Sequence, residues 1–182
     1  MFELQTERLR LIALDMEHLR LSLDDPRTVG ENLGLRATDQ LLEGPLREAV
    51  RQILDNAAGD EENHLWHTLW RIVRKDMNCI IGGFDFKGPA DAEGTVEVGY
   101  GIQPVHRGRG YMAEALQEAV TWALSHPQVS AVLAETEGSN PASHRVLEKV
   151  GFVRHRKVGE MVWWRMERKA RDVRRRLEGC AY

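Results

Sequence analysis

The chain has 182 residues, of which 42% are hydrophobic and 29% are charged, and its formal net charge at pH 7 is −3. A chain of this length suits one domain with a full core, because folding at this size buries about 70% of the unfolded surface. The composition excludes a disordered protein, and the small negative charge excludes global attraction to nucleic acid. No run of about 18 apolar residues and no cleaved-leader pattern is present, so we expect a cytoplasmic protein with no membrane partner.

Elements of the N-terminal half are predicted from periodicity and capping residues. Asp15 is placed to cap a short helix that runs toward Pro26, and the stretch 27–44 reads as irregular because of its glycines. The other predicted elements are a strand at 8–14, a helix from Pro45 to just before Gly59, and an antiparallel hairpin of strands 65–73 and 78–86.

Elements of the C-terminal half alternate between strands and helices. Asn140 and Pro141 occupy cap and first-turn positions of a helix, and Gly151 stands where a left-handed C-cap is expected. The other predicted elements are a strand at 95–102, a helix that ends near Pro127, a strand at 131–137, and closing strands at 152–158 and 161–167. We expect an α/β (α+β) fold with a mixed, mostly antiparallel sheet of about seven strands and about four helices on both faces.

The run from Val98 to Ala113 places a strand, a proline, a glycine-arginine loop and a helix start in one uninterrupted order. Gly108 and Gly110 allow close backbone approach and positive φ, and the helix start offers unpaired N–H groups and the positive end of the helix dipole. Arg107 and Arg109 add cations that suit phosphate. This order predicts an anion-binding site.

Three segments together resemble the GNAT superfamily of acyl-CoA-dependent N-acyltransferases, particularly its ribosomal-protein N-acetyltransferase-like branch. They are TERLRL at 6–11, EVGYGIQPVHRGRGYMAEAL at 97–116 and NPASHRVLEKVGF at 140–152. The resemblance implies a three-layer fold with a sheet splayed in the middle, and an acyltransferase domain over residues 1–168 followed by a basic tail at 169–182.

The resemblance also implies the residues that bind acetyl-CoA. Loop amides from about Val105 to Met112 would hold the pyrophosphate, and the strand before the loop would pair with pantetheine through its backbone. Val105 stands where the family has glutamine or arginine, so that side-chain contact is lost. The expected binding residues are Tyr100, Gly101, Ile102, Val105, Arg107, Gly108, Arg109, Gly110, Tyr111, Met112 and Asn140.

Catalytic roles follow from the same resemblance and from the chemistry of amines. Leu147 occupies the place of a tyrosine that many of these enzymes use as an acid, and the branch with NPAS has Ser143 near the thioester sulfur instead. Glu97 is the first candidate for the general base and Glu135 the second, since a partly buried carboxylate gains a pKa nearer neutrality. We expect acetyl transfer by direct attack. We expect no metal site, because His64 and His67 have no second pair of ligands in the sequence.

The acceptor stays open between a protein N-terminus, a polyamine, an amino acid and an antibiotic amine. We expect it to enter between 27–44 and the hairpin around 157–161, and a homodimer could form by sheet extension. Three other functions remain. They are a dinucleotide-binding domain, a non-catalytic acyl-CoA-binding regulatory module on the same fold, and RNA or ribosome binding through the basic tail. Cys79 and Cys180 are expected to be reduced thiols.

Overall fold

The structure is a computed structural model that describes residues 1–36 and 44–168. Within these ranges eight strands form one sheet in the order β1-β2-β3-β4-β5-β6-β8-β7. The strands are β1 Glu3–Gln5, β2 Leu9–Ala13, β3 Leu69–Arg74, β4 Cys79–Phe86, β5 Thr95–Ile102, β6 Ala131–Glu137, β7 Val153–Val158 and β8 Met161–Glu167. The helices are α1 Met16–Asp24, α2 Pro26–Asn32, α3 Gly44–Gly59, α4 Tyr111–Ser125 and α5 Pro141–Val150, with 3₁₀ turns at Glu61–Trp66 and Pro104–His106.

The sheet is mixed and mostly antiparallel, as the sequence predicts. Strands β5 and β6 pair in parallel, and each of the other neighbouring pairs is antiparallel. A doubly wound dinucleotide-binding sheet is therefore absent from the described residues, because such a sheet is mostly parallel. The sheet has one strand more than expected, because β1 pairs with β2.

The centre of the sheet splays along β5. Pairing of β5 with β4 extends to Ile102, whereas its ladder with β6 ends at the Glu97–Leu133 pair. The hydrogen bonds from Lys87 N to Glu97 O and from Gln103 N to Ile81 O show that the odd-numbered residues of β5 point their backbone groups at β4. By alternation, the N–H and C=O of Tyr100 point into the gap between β5 and β6.

Helices cover both faces of the sheet. Trp70 and Ile72 of β3 belong to the central apolar cluster, which contains the buried faces of α4 and α5. Leu69 and Val73 alternate to the other face, where Leu69 packs in a second cluster with buried residues of α1, α2 and α3. The expected three-layer arrangement is confirmed, and the two faces of the sheet are distinct environments.

Two stretches differ from the sequence predictions. The expectation of irregular structure from 27 to 44 was wrong at its start, because Asp25 accepts hydrogen bonds from Arg27 N and Thr28 N and thereby begins α2. The strand expected from residue 65 begins only at Leu69, because the Glu61–Trp66 turn precedes it and buries Trp66 against Trp122. The rest of the irregular stretch, 37–43, and the tail at 169–182 lie outside the described residues, as does Cys180.

Among residues 1–36 and 44–168, no helix combines the length and apolar character needed to cross a membrane. The same residues hold no group of three or more histidine, cysteine, aspartate or glutamate side chains that could bind a metal ion. Cys79 is a free thiol.

Candidate active site

A cavity of about 430 Å³ opens where the end of β5, the glycine loop and the first turns of α4 and α5 meet. The first three of these parts are contiguous from Tyr100 to Ala113, and the fold brings α5, which lies about 30 residues further along the chain, against them. Ten of the predicted site residues line the cavity: Tyr100, Gly101, Ile102, Arg107, Gly108, Gly110, Tyr111, Met112, Asn140 and Ser143. Glu97, Val105 and Arg109 are not among its lining residues.

The glycine loop takes the backbone conformation that its sequence predicts. Gly108 has a φ of 74° and Gly110 a φ of 80°, both in the left-handed region that favours glycine. Gly110 is the N-cap of α4 and makes no side-chain cap bond. The side chains of Tyr111 and Met112 are buried. The first-turn amides of α4 are therefore free to bind an anion at the positive end of the helix dipole.

Three loop residues differ in how they relate to the cavity. The Val105 side chain is 71% exposed and does not line the cavity. Arg107 lies at the cavity, and its Nε donates a hydrogen bond of 3.3 Å to Ile102 O. Arg109 is exposed, and its carbonyl oxygen accepts a 3.2 Å hydrogen bond from Arg8 Nη1.

The TERLRL motif of the N-terminus supports this loop. Thr6 Oγ1 donates a hydrogen bond to Glu114 Oε1, and Arg8 Nε donates one to Glu114 Oε2. The donor–acceptor distance is 2.6 Å in both. The Arg8 guanidinium also lies 4.6 Å from the ring centroid of Tyr111. Burial alone would raise the pKa of Glu114, but the hydrogen bonds from Thr6 and Arg8 hold that pKa below its ordinary value. The motif thus fixes the first turn of α4.

Sequence reasoning missed several cavity residues, which include two cations of α5. Arg145 and Lys149 line the cavity together with Ala142 and Val146. The helical spacing i, i+3, i+4 and i+7 places these positions on one face of the helix that follows Asn140, and this spacing could have revealed them. His106 also lines the cavity, and its buried Nδ1 has no hydrogen-bond partner among the described residues.

Polar groups on β5 and α5 meet at the inner end of the cavity. Asn140 Oδ1 accepts a 3.1 Å hydrogen bond from Ser143 N, so Asn140 is the helix cap that the sequence predicts. The Tyr100 hydroxyl donates a 3.3 Å hydrogen bond to the carbonyl oxygen of Ser143. Burial raises the pKa of Tyr100 to about 12, so the phenol remains a proton donor at neutral pH.

Glu97 lies on the other face of the sheet from α4. Val96 and Val98 belong to the central core, so Glu97 alternates away from it, and it is the last β5 residue paired with β6. Burial raises the pKa of Glu97, Lys87 opposes that rise, and Glu135 and Asp85 add to it. Lys87 Nζ itself lies 2.7 Å from Asp85 Oδ2. A carboxylic acid with a raised pKa thus stands where the gap between β5 and β6 begins.

The arrangement places a helix N-terminus suited to an anion beside the gap of a splayed sheet. The family model of the acetyltransferase (GNAT) domain matches residues 8–153. An N-acetyltransferase of Bacillus subtilis, YjdG, is 34% identical over 164 residues, which cover 88% of this chain and 95% of that protein. The chain therefore belongs to the GNAT family and is an acyl-CoA-dependent N-acetyltransferase of that family.

Solved structures show the same fold at lower identity. The ribosomal-protein-S5-alanine acetyltransferase from Vibrio fischeri has a TM-score of 0.65 and 14% identity, and the match covers 93% of this chain and 98% of that one. A ribosomal L7/L12 α-N-protein acetyltransferase, RimL, solved with coenzyme A, has a TM-score of 0.64 and 15% identity, and the match covers 91% of this chain and 98% of that one. The predicted branch of the family thus contains structural neighbours of this protein.

Proposed function

We propose that residues 1–168 form one domain that transfers the acetyl group of acetyl-CoA to a primary amine by direct attack in a ternary complex. The observation that carries this proposal is the divergence of β5 from β6 beyond Glu97, beside a glycine loop that leaves the first amides of α4 free. An extended thioester arm and a diphosphate need these two features next to each other. The RimL neighbour was solved with coenzyme A, which supports the same donor here.

In this proposal, main-chain groups and nearby cations bind the donor. The diphosphate lies on the amides from about Val105 to Met112, and Arg107, Arg145 and Lys149 supply positive charge at the cavity. The pantetheine arm pairs with the backbone of Tyr100, whose N–H and C=O point into the gap. Asn140 caps α5 through its oxygen, and its amide nitrogen donates to the arm.

Catalysis then uses groups on both sides of the gap. Glu97, directly or through water, takes a proton from the acceptor amine, and the amine nitrogen attacks the thioester carbonyl carbon. A backbone N–H of Tyr100 or Ile102 stabilises the developing oxyanion. The carbon–sulfur bond breaks, the sulfur takes a proton from Ser143 Oγ or from the Tyr100 phenol, and the proton that the former amine nitrogen releases as the amide forms restores that hydroxyl. A thiol pKa of about 8.5 makes the sulfur a good leaving group.

The basicity of the acceptor decides how much work the base must do. An α-amine with a pKa near 8 loses its proton at pH 7.4 at a cost below about 1 kcal/mol, whereas a lysine with a pKa near 10.4 requires about 4 kcal/mol. One half-buried carboxylate is sufficient for the first case. We therefore propose an α-amine, of a protein N-terminus or of a small molecule, ahead of a lysine side chain.

The experiment that tests this function measures release of free thiol from acetyl-CoA in the presence of amino acids, polyamines, aminoglycosides and short peptides. We expect turnover with at least one α-amine and a defined affinity for acetyl-CoA by calorimetry. The matched variant is Ser143→Ala, which should lower kcat while the affinity for acetyl-CoA stays the same. Acetyl-CoA binding without turnover of any amine would favour the non-catalytic regulatory module instead.

A further inference from the structure

Arg71 is a partly buried cation on the face of the sheet that carries Glu97. It lies in β3 between Trp70 and Ile72, both of which pack in the central core, so its side chain alternates to the side of α1, α2 and α3. Arg71 Nη2 lies 3.3 Å from Ser22 Oγ of α1. The buried Arg71 Nε has no hydrogen-bond partner in the part of the chain that the structure describes.

This guanidinium lacks a counter-ion where one is expected. Within the described ranges, no carboxylate oxygen lies within 4.0 Å of it, whereas Arg8, Arg10 and Arg74 each meet a carboxylate. Burial lowers the pKa of Arg71 to about 10, so the side chain remains charged at neutral pH. A buried charge without a partner is costly, and an anionic ligand would remove that cost.

The two residues that follow Arg71 across the sheet toward the donor strand are glycines. Across the sheet, Arg71 pairs with Gly83 of β4, and Gly83 pairs with Gly101 of β5. Neither glycine carries a side chain. A Cβ added at Gly101 would meet nothing within 4 Å, whereas one added at Gly83 would meet Trp70 O at 2.7 Å and Leu69 Cδ1 at 3.5 Å, so the open space lies over Gly101. With strands about 4.8 Å apart, the backbones of Arg71 and Gly101 are about 10 Å apart, a span that one arginine side chain and one amino acid can bridge.

Charges of both signs therefore line the face opposite the donor cavity. Phe84 and Phe86 pack in the central core, so Asp85 lies with Glu97 and Arg71 on the other face. Asp85 and Glu97 suit a cationic amine, and Arg71 suits a carboxylate, which it can bind through two parallel hydrogen bonds. A molecule that carries both groups matches this pattern.

We propose that the acceptor is an amine that also carries a carboxylate, and that Arg71 binds this carboxylate while the amine lies at the gap between β5 and β6. This inference rests on the proposed amine acetylation and specifies the class of its acceptor. The carboxylate has two sources, the α-carboxylate of a free amino acid or an acidic side chain in the first residues of a peptide.

The test compares acceptors in matched pairs in which one member lacks the negative charge, with rates expressed per concentration of neutral amine. Free amino acids are paired with their carboxamides, and amidated peptides that begin with glutamate or aspartate are paired with peptides that begin with glutamine or asparagine. We expect wild type to prefer the charged member of the effective pair by at least tenfold in kcat/KM. The pair that shows the preference identifies the source of the carboxylate.

Variants separate binding of the acceptor from support of the fold. Arg71→Gln should lower kcat/KM for the charged acceptor by about 30-fold or more and leave the uncharged one within about twofold. Arg71→Lys should restore part of the loss, because it keeps the charge and loses the planar fork. The matched control is Arg51→Gln on the exposed side of α3, which should change neither acceptor.

Two results would overturn the inference. One is equal use of charged and uncharged acceptors by wild type, and the other is an equal loss for both in Arg71→Gln, which indicates a purely structural arginine. Failure to acetylate any amine would instead contradict the proposed function, and binding then decides the role of Arg71. Calorimetry with the free amino acids and with the acidic peptides should show binding of at least one of them to wild type that Arg71→Gln abolishes, and no binding of either class to wild type would reject the inference.

Discussion

The two faces of the splayed sheet present different kinds of chemical group. The donor side relies mainly on main-chain groups, namely the first amides of α4 and the backbone of Tyr100 at the gap, with the cations Arg107, Arg145 and Lys149 beside them. The other side presents charged side chains, Arg71 from β3, Asp85 from β4 and Glu97 from β5. A main-chain site depends on glycine placement and helix geometry, whereas a side-chain site changes with single substitutions. The acceptor can therefore change without rebuilding the donor site.

Glu97→Gln is the change expected to have the largest effect on the acceptor side. Loss of a general base lowers kcat by about 100-fold or more. The affinity for acetyl-CoA should stay at the wild-type value, because Glu97 does not line the donor cavity. Steady-state kinetics and calorimetry measure the two quantities. Asp85→Asn, which removes a carboxylate already paired with Lys87, is the control and should change kcat less.

The pH dependence of the same pair of proteins sharpens this result. The raised pKa of Glu97 means that wild-type activity should rise with pH through a value above the ordinary 4.5, and Glu97→Gln should lose that limb. The folded state also binds this proton more tightly than the unfolded state. Protonated Glu97 therefore contributes to the stability of the fold. This contribution is fully present below the pKa of Glu97 in the unfolded chain and is lost as pH rises through the pKa of Glu97 in the folded protein. A wild-type pH profile identical to that of Glu97→Gln would exclude Glu97 as the base.

Gly110→Ala tests the donor side and is expected to have an intermediate effect. An L-residue at a φ of 80° costs about 1–2 kcal/mol, and relief of that strain would turn the first amides of α4 away from the diphosphate. We expect affinity for coenzyme A to fall by about tenfold in calorimetry. Gly159→Ala is the matched control, since Gly159 also has a positive φ but lies in the β7–β8 turn. Equal affinities in the two variants would contradict a main-chain site.

Asn140 combines two roles that a pair of substitutions separates, and the expected effects are the smallest. Asn140→Ala removes the cap of α5 and should lower the free energy of unfolding by about 1 kcal/mol. Asn140→Asp keeps the capping oxygen and should preserve stability. If the amide nitrogen binds pantetheine, both variants should lose a few-fold in affinity for coenzyme A. Wild-type affinity in Asn140→Asp would leave Asn140 with the capping role alone.

Elements with strong local signals were predicted well from the sequence, and the exceptions have physical causes. Helix α5 matches because a cap, a proline and a C-terminal glycine mark both ends. Helix α2 was missed because Asp25 and Pro26, which begin a helix, were interpreted as the end of α1. The stretch 65–68 has the aromatic composition of a strand, yet its first two residues end a 3₁₀ turn in which Trp66 packs on Trp122, and the strand begins only at Leu69.

In the candidate site too, residues with a local sequence pattern were predicted and residues without one were missed. Residues of the glycine loop and of the NPAS segment were found because each segment is contiguous and has a distinctive pattern. Arg145 and Lys149 follow from helical spacing, once α5 is placed at the cavity. Arg71 has no local signature, because its burial and its missing counter-ion depend on how α1 packs over β3. A sequence shows that an arginine is present but does not show which charges surround it.

The contacts of Thr6 and Arg8 with the start of α4 have a consequence for folding. The bond from Thr6 to Glu114 spans 108 residues, and the bond from Arg8 to the Arg109 carbonyl spans 101. Contacts of such long sequence separation form late, because a long loop must close before they contribute. During synthesis the N-terminal strands emerge well before α4. The glycine loop therefore reaches its final conformation only when α4 has formed its contacts with Thr6 and Arg8.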